Sequence, residues 1–257
     1  MRDFITCLEF LTRVRFSKRT DWRDEDFSRS VPYFPLVGLV IGFLLAAINY
    51  SLFYIETPLF LRVTLLLLAE IIITGGLMYD GFMDTADGVF SARSRERMLE
   101  IMKDSHVGSN AVLAIIILLL LKIAAYLELS GETLTWVLLT MSVATRTFMV
   151  VFIVNFPYAR KEGIGHMFTK YAKPFYTYIA FAVCAGIIAA CGLQYLAVAG
   201  ICFTVTLIIA QYLKTQLGGL TGDTYGALTE CGNVIYLLTA VFLSLIHISE
   251  PTRRTPI

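Results

Sequence analysis

The feature that most restricts how this chain folds is its division into apolar blocks of about twenty residues. Seven blocks stand out, at roughly 33–55, 59–78, 108–128, 134–154, 175–193, 195–213 and 233–248. A helix rises 1.5 Å per residue, so about 20 apolar residues cross the hydrocarbon of a bilayer. Within hydrocarbon the backbone must satisfy its own hydrogen bonds, which leaves helices or closed barrels. The blocks do not alternate with a period of two, so strands are not expected. Only 16% of residues are charged, against roughly a quarter in soluble domains. The expectation is an all-α fold, a polytopic helical membrane protein with about six to seven transmembrane helices. Pro32, Pro35, Gly38 and Gly42 interrupt the first block, and the last is short.

No apolar leader segment stands near the start, where the first thirty residues hold seven Lys/Arg and six Asp/Glu. The five cysteines lack metal-ligand spacing and read as buried thiols. Basic residues collect in alternate connectors. They fill the N-terminal segment, then Arg93, Arg95, Arg97 and Lys103, then Arg160, Lys161, Lys170 and Lys173, and then Lys214. In the other connectors only Arg62 stands near a block edge. The positive-inside rule therefore places the N-terminus and the long connectors in the cytoplasm. All the polar, Gly-rich connectors then share one face. A net charge of +1 says nothing about acidic partners, and no nucleic-acid partner is expected.

One connector is unusual. From Gly75 to Ser105 the chain carries four aspartates, three arginines and a lysine at the edge of an apolar block. Asp80, Asp84 and Asp87 recur at i, i+4 and i+7, which is one face of a helix. Clustered carboxylates repel each other unless a cation lies among them, and oxygen ligands of this kind suit Mg²⁺. Asp104 is a candidate to complete the set. Arg93, Arg95 and Lys103 are suited to phosphate oxygens. Acids for a metal beside bases for phosphate point to phosphoryl or diphosphate chemistry. The plain alternative is a solvated loop whose charges pair with each other.

A second constellation is "GGLTGDTYGA", Gly218 to Ala227. Gly218, Gly219 and Gly222 give the backbone freedom to approach an anion, Thr221 adds a hydroxyl, and Asp223 is a further possible metal ligand. The alternative is a flexible link before the last span. Arg146 lies inside an apolar block and reads either as a partner for phosphate or aspartate, or as a side chain snorkelling to the interface. Lys122 reads as snorkelling. His106 and His166 are acid/base candidates of low weight.

These motifs resemble the cobalamin synthase family, the adenosylcobinamide-GDP ribazoletransferases. "GGLMYDGFMDTADG" from Gly75 to Gly88 is similar to the family signature, as are "RSRERMLEIMKDSHVG", "GIG..F" from Gly163 to Phe168, and "GGLTGDTYGA" with Glu230. "FLTR", ending at Arg13, before "YFPLVGLVIG" is similar to the family's start. The resemblance runs to about Ser244. Met78 stands where the family often has histidine, and Val14-Arg15 follow Arg13 where an aliphatic residue and proline are usual.

The resemblance implies a reaction. A ribose hydroxyl of α-ribazole, or of its 5′-phosphate, attacks the phosphate attached to cobinamide in adenosylcobinamide-GDP, and GMP leaves with Mg²⁺ as cofactor. On this reading Asp80, Asp84, Asp87 and Asp104 are the catalytic candidates, with an aspartate free of metal taking the hydroxyl proton, and phosphate or substrate contacts are expected from Arg13, Arg93, Arg95, Lys103, Arg146, Arg160, Glu230 and the Gly218–Gly222 segment. The resemblance places the chain in the bacterial inner membrane, with other late cobalamin-pathway enzymes as possible neighbours. Residues 1–245 form one transferase domain, while 246–257 read as a non-native or read-through tail. CDP-alcohol phosphotransferases carry Ala-Arg where this chain has Met83-Asp84, and membrane prenyltransferases carry a second Asp-rich motif that is missing here. A transporter would string its acids along a path instead of gathering them at one face.

Overall fold

The computed structural model describes residues 2–15, 23–129 and 131–249. Among these residues there is no strand, only a single bridge pair. The twelve α-helices are α1 (Arg2–Leu11), α2 (Asp24–Ser30), α3 (Phe34–Tyr54), α4 (Leu59–Thr74), α5 (Leu77–Phe90), α6 (Arg95–Ile101), α7 (Ser109–Glu128), α8 (Gly131–Asn155), α9 (Ile164–Lys170), α10 (Phe175–Cys191), α11 (Gln194–Leu217) and α12 (Gly222–Ser249). Five spans are long and apolar enough to cross a membrane: the run Glu25–Tyr54 through α2 and α3, then α7, α8, α11 and α12. The α4–α5 pair makes a sixth if counted as one broken span, and α10 is a shorter apolar helix. The molecule is a polytopic helical membrane protein.

The span of α8 is 89% buried and that of α7 only 28%, so α8 forms the centre and α7 the rim. Rim residues such as Leu113, Ile116, Ile117 and Leu120 are exposed, as a lipid-facing stripe requires. The prolines and glycines expected to interrupt α3 do not break it. Pro35 sits in its first turn, where a missing N–H costs nothing. Gly42 lies against α8, where a Cβ would stand 2.8 Å from the Leu139 Cα, so small residues bring the two backbones together.

Two expectations about the blocks are corrected. The block 59–78 is not one helix. Gly75 (φ 69°) and Gly76 (φ 73°) are both left-handed, and the chain turns 92° between α4 and α5. Side chains with a Cβ resist that conformation, and two glycines in a row make a corner of it. The last helix begins at Gly222, eleven residues before the apolar block, so most of "GGLTGDTYGA" is helix and only Gly218–Thr221 is loop. Residues 250–257 of the segment read as a tail lie outside the described residues, and α12 continues to Ser249. The N-terminal segment, polar by composition, contains amphipathic α1, whose Cys7, Leu8 and Leu11 are buried.

Candidate active site

The site forms where α5 crosses the start of α12. A Cβ on Gly81 would lie 2.7 Å from the Asp223 carbonyl oxygen, and one on Gly226 would lie 3.3 Å from the Gly81 Cα. At Gly81 only a hydrogen permits the contact, at Gly226 a Cβ would crowd it, and the contact sets Asp80 and Asp84 beside Asp223. With 14 residues and three aspartates, α5 is not one of the five long spans. Asp80 is exposed, while Asp84 and Asp87 are partly buried. Burial, then the charges of Asp80 and Asp223 and more weakly Asp87, push the Asp84 carboxyl up to about 7 against the pull of Arg160. The expected mutual repulsion of these acids is therefore present.

A second segment closes on this crossing. The Leu220 N–H donates to the Pro157 carbonyl and the Ala159 N–H to the Leu220 carbonyl, each at 2.8 Å. This bridge delivers Arg160, whose Nη1 lies 2.7 Å from Asp223 Oδ2. The Arg160 Nε and Nη2 are buried and have no hydrogen-bond partner. Buried guanidinium donors are normally satisfied, so two idle ones beside three carboxylates are ready for an anion. Between these groups opens a cavity of about 230 Å³, with Asp80, Arg160 and Asp223 among its polar lining and aromatic and aliphatic side chains elsewhere.

Other candidate residues have different placements. Asp87 caps α7, accepting from the N–H groups of Gly108 (2.6 Å) and Ala111 (2.8 Å). Asp104 is exposed and bonds His106 at 2.6 Å within its own turn; that hydrogen bond holds Asp104 below the usual carboxylate range and raises the imidazole. Thr221 is fully buried and forms a reciprocal cap with Thr224: each backbone N–H donates to the other's hydroxyl, at 2.7 and 3.2 Å. Gly222 opens α12, and Gly219 packs on the Pro157 carbonyl.

Among the bases, Arg95 lies directly over Gly218 and joins the α6 region to the loop before α12. Lys103 lines an open groove that Arg160 also reaches. Arg93 is exposed on the α5–α6 link. Arg13 lies over Gly75 and shares a groove with Asp80.

Four charged residues sit deep in the bundle, away from the cavity lining. Lys122 does not snorkel. It is fully buried and bonds Glu70 (2.8 Å to each oxygen), the Tyr79 hydroxyl (2.7 Å) and Glu230 (3.1 Å). Arg146 does not snorkel either; it is 2% exposed, bonds Thr145 Oγ1 at 3.1 Å and faces the same two glutamates. Glu230 is thereby engaged as the counter-ion of Lys122 and is not open to a substrate. The reason is the low dielectric of the interior, where a charge must find an opposite one. Glu70, unnoticed within its leucine-rich block, completes this group.

Among the described residues no three His, Cys, Asp or Glu side chains are grouped to hold a metal ion by themselves. Mg²⁺ is commonly held by one or two carboxylates together with substrate phosphates. The Asp80–Asp84 pair beside Arg160 fits that shared arrangement and not a closed protein cage.

The family described as Cobalamin-5-phosphate synthase matches residues 3–241. The chain belongs to this family. Its similarity to curated members runs nearly end to end. It is 36% identical to the adenosylcobinamide-GDP ribazoletransferase of Clostridium novyi over 242 residues, 93% of this chain and 96% of that one. The protein of the same name from Desulfitobacterium hafniense is 37% identical over 246 residues, 93% and 96% of the two chains. That from Desulforamulus reducens is 40% identical over 225 residues, 87% and 89%. No solved structure matches the chain. The matched residues 3–241 include both the α5 aspartates and the segment leading into α12, which the fold brings together at Gly81 and Gly226.

Proposed function

We propose that this membrane enzyme is an adenosylcobinamide-GDP ribazoletransferase. It joins adenosylcobinamide-GDP to α-ribazole or α-ribazole 5′-phosphate, releases GMP, and yields adenosylcobalamin or its 5′-phosphate. The observation that carries the reading is the meeting of Asp80, Asp84 and Asp223 around an Arg160 with two unused buried donors. The family match and the names of the relatives supply the substrates.

Asp80 and Asp84 would hold Mg²⁺ against the diphosphate. When bound there, the ion neutralises charge that develops on the departing phosphate. Arg160 turns its free Nε and Nη2 to phosphate oxygens. As its guanidinium engages phosphate, Asp223 shares its ion pair with a competing anion and becomes more basic. Asp223 then takes the proton of the attacking ribose hydroxyl. Lys103 adds positive charge in the groove that Arg160 also reaches, and Arg95 adds it over Gly218. The bacterial relatives support a bacterial inner-membrane location, and the alternate-connector pattern of Lys and Arg supports placing the N-terminus and the site on its cytoplasmic side.

The test is transfer by purified protein supplied with adenosylcobinamide-GDP, α-ribazole and Mg²⁺. GMP release should depend on all three. Asp84→Asn should lower kcat by roughly 10²–10³-fold, on the scale of losing one preorganised electrostatic group, while the variant still accumulates folded in the membrane. Normal turnover by that variant would remove the metal-site assignment.

A further inference from the structure

The cavity has two unlike halves. Asp80, Arg160 and Asp223 form the polar one. Phe10, Phe34, Phe168, Met149, Ile153 and Tyr225 contribute the other. Phe168 packs against Phe10 and Phe34, with ring centroids 4.8 and 5.6 Å away, so this wall is a packed aromatic cluster. Tyr225 is 2% exposed, and its hydroxyl is buried with no hydrogen-bond partner. A buried phenol normally finds a partner. Tyr158, also in the lining, has its hydroxyl engaged by the backbone of Gly222 and His166, so the Tyr225 hydroxyl is the phenol of this wall that is left for a ligand acceptor.

Resting on the proposed reaction, we infer that this cavity seats the flat base of the acceptor nucleoside and not the guanine of the donor. Guanine presents donors and acceptors around most of its edge, and a wall of Phe, Met and Ile would leave them unsatisfied. The benzimidazole of α-ribazole is a hydrocarbon-rich bicycle with one free ring nitrogen, and that nitrogen accepts from the Tyr225 hydroxyl. With the base inside, the ribose points to Asp80, Asp223 and Arg160, so the attacking hydroxyl emerges among the groups that need to meet it. The cavity, about 230 Å³ and open on one side, has room for one bicyclic ring system.

The experiment is equilibrium binding of α-ribazole and, separately, of GMP to the full-length protein in lipid nanodiscs, comparing wild type with Tyr225→Phe. Loss of one neutral hydrogen bond should weaken α-ribazole about five- to tenfold and leave GMP affinity unchanged. In turnover the same variant should raise KM for α-ribazole and not for adenosylcobinamide-GDP. Met149→Trp, which fills the cavity, should abolish α-ribazole binding while GMP binding reports that the protein is folded. Unchanged α-ribazole affinity in Tyr225→Phe, or weakened GMP binding instead, overturns the assignment. Absence of GMP release by wild type would sink the proposed reaction, whereas the binding titration judges the cavity independently.

Discussion

Replacing Lys122 with Met tests whether the buried ionic group holds the bundle together. Lys122 on α7 ties Glu70 of α4, Tyr79 of α5 and Glu230 of α12 to one atom, through four bonds of 2.7 to 3.1 Å. All of these side chains are at most 7% exposed, so water does not screen them. With Arg146 the group is formally neutral, with two cations and two anions. Methionine has nearly the same shape but no charge, and it leaves two carboxylates facing Arg146 alone. Removing one member of a buried pair typically costs about 3–5 kcal/mol, a large share of a total stability of about 5–15 kcal/mol. At roughly 2–4 °C per kcal/mol, the melting temperature in detergent should fall by about 6–20 °C. Adding Glu70→Gln restores neutrality and should recover most of that loss. Lys161→Met, on an exposed loop, is the control and should melt like wild type. A Lys122→Met protein that melts within a degree of wild type, or a double variant less stable than the single, would refute the ion-pair account.

Two further outcomes are expected. Asp84 is held near pH 7, above its unfolded value of about 4. A raised carboxyl favours the folded state in its protonated form, so its contribution is present at low pH and fades as pH rises from about 4 through 7. In metal-free buffer the wild type should lose more melting temperature between pH 5 and pH 8 than Asp84→Asn does, and parallel curves would contradict this. Gly81→Ala puts a methyl 2.7 Å from the Asp223 carbonyl. Forcing α5 from α12 should cost about 1–3 kcal/mol and lower kcat/KM more than an equally destabilising change far from the site, measured by GMP release.

The periodic content of the sequence was legible because the bilayer imposes it. Blocks of apolar residues locate α3, α7, α8 and α11 within a few residues, since few other sequences satisfy hydrocarbon. What escaped was set by contacts between segments. Gly218–Ala227 reads as a loop on glycine count, yet Gly226 exists to admit α5, and Thr221 and Thr224 cap a helix that propensity alone would not begin there. The Gly75–Gly76 corner hid inside an apolar run for the opposite reason: the surrounding hydrophobicity outweighed two residues whose meaning is conformational.

The same distinction separates the aspartates. Helical spacing placed Asp80, Asp84 and Asp87 on one face, and α5 is indeed a helix, but spacing does not say what each carboxylate meets. Asp87 meets the free N–H groups at the start of α7, which lie more than twenty residues away in sequence. Asp80 and Asp84 meet Asp223 because two glycines let α5 and α12 touch. Glu70 and Lys122 carried a usable signal: an acid and a base buried in separate apolar blocks are costly alone and so should be sought as partners. Tyr225 carried none, since a tyrosine in a helix is ordinary until its hydroxyl is found with nothing to bond. The candidate site therefore depends less on the acidic motif than on the α5–α12 contact, which turns a row of acids into a pair facing a third acid and an arginine.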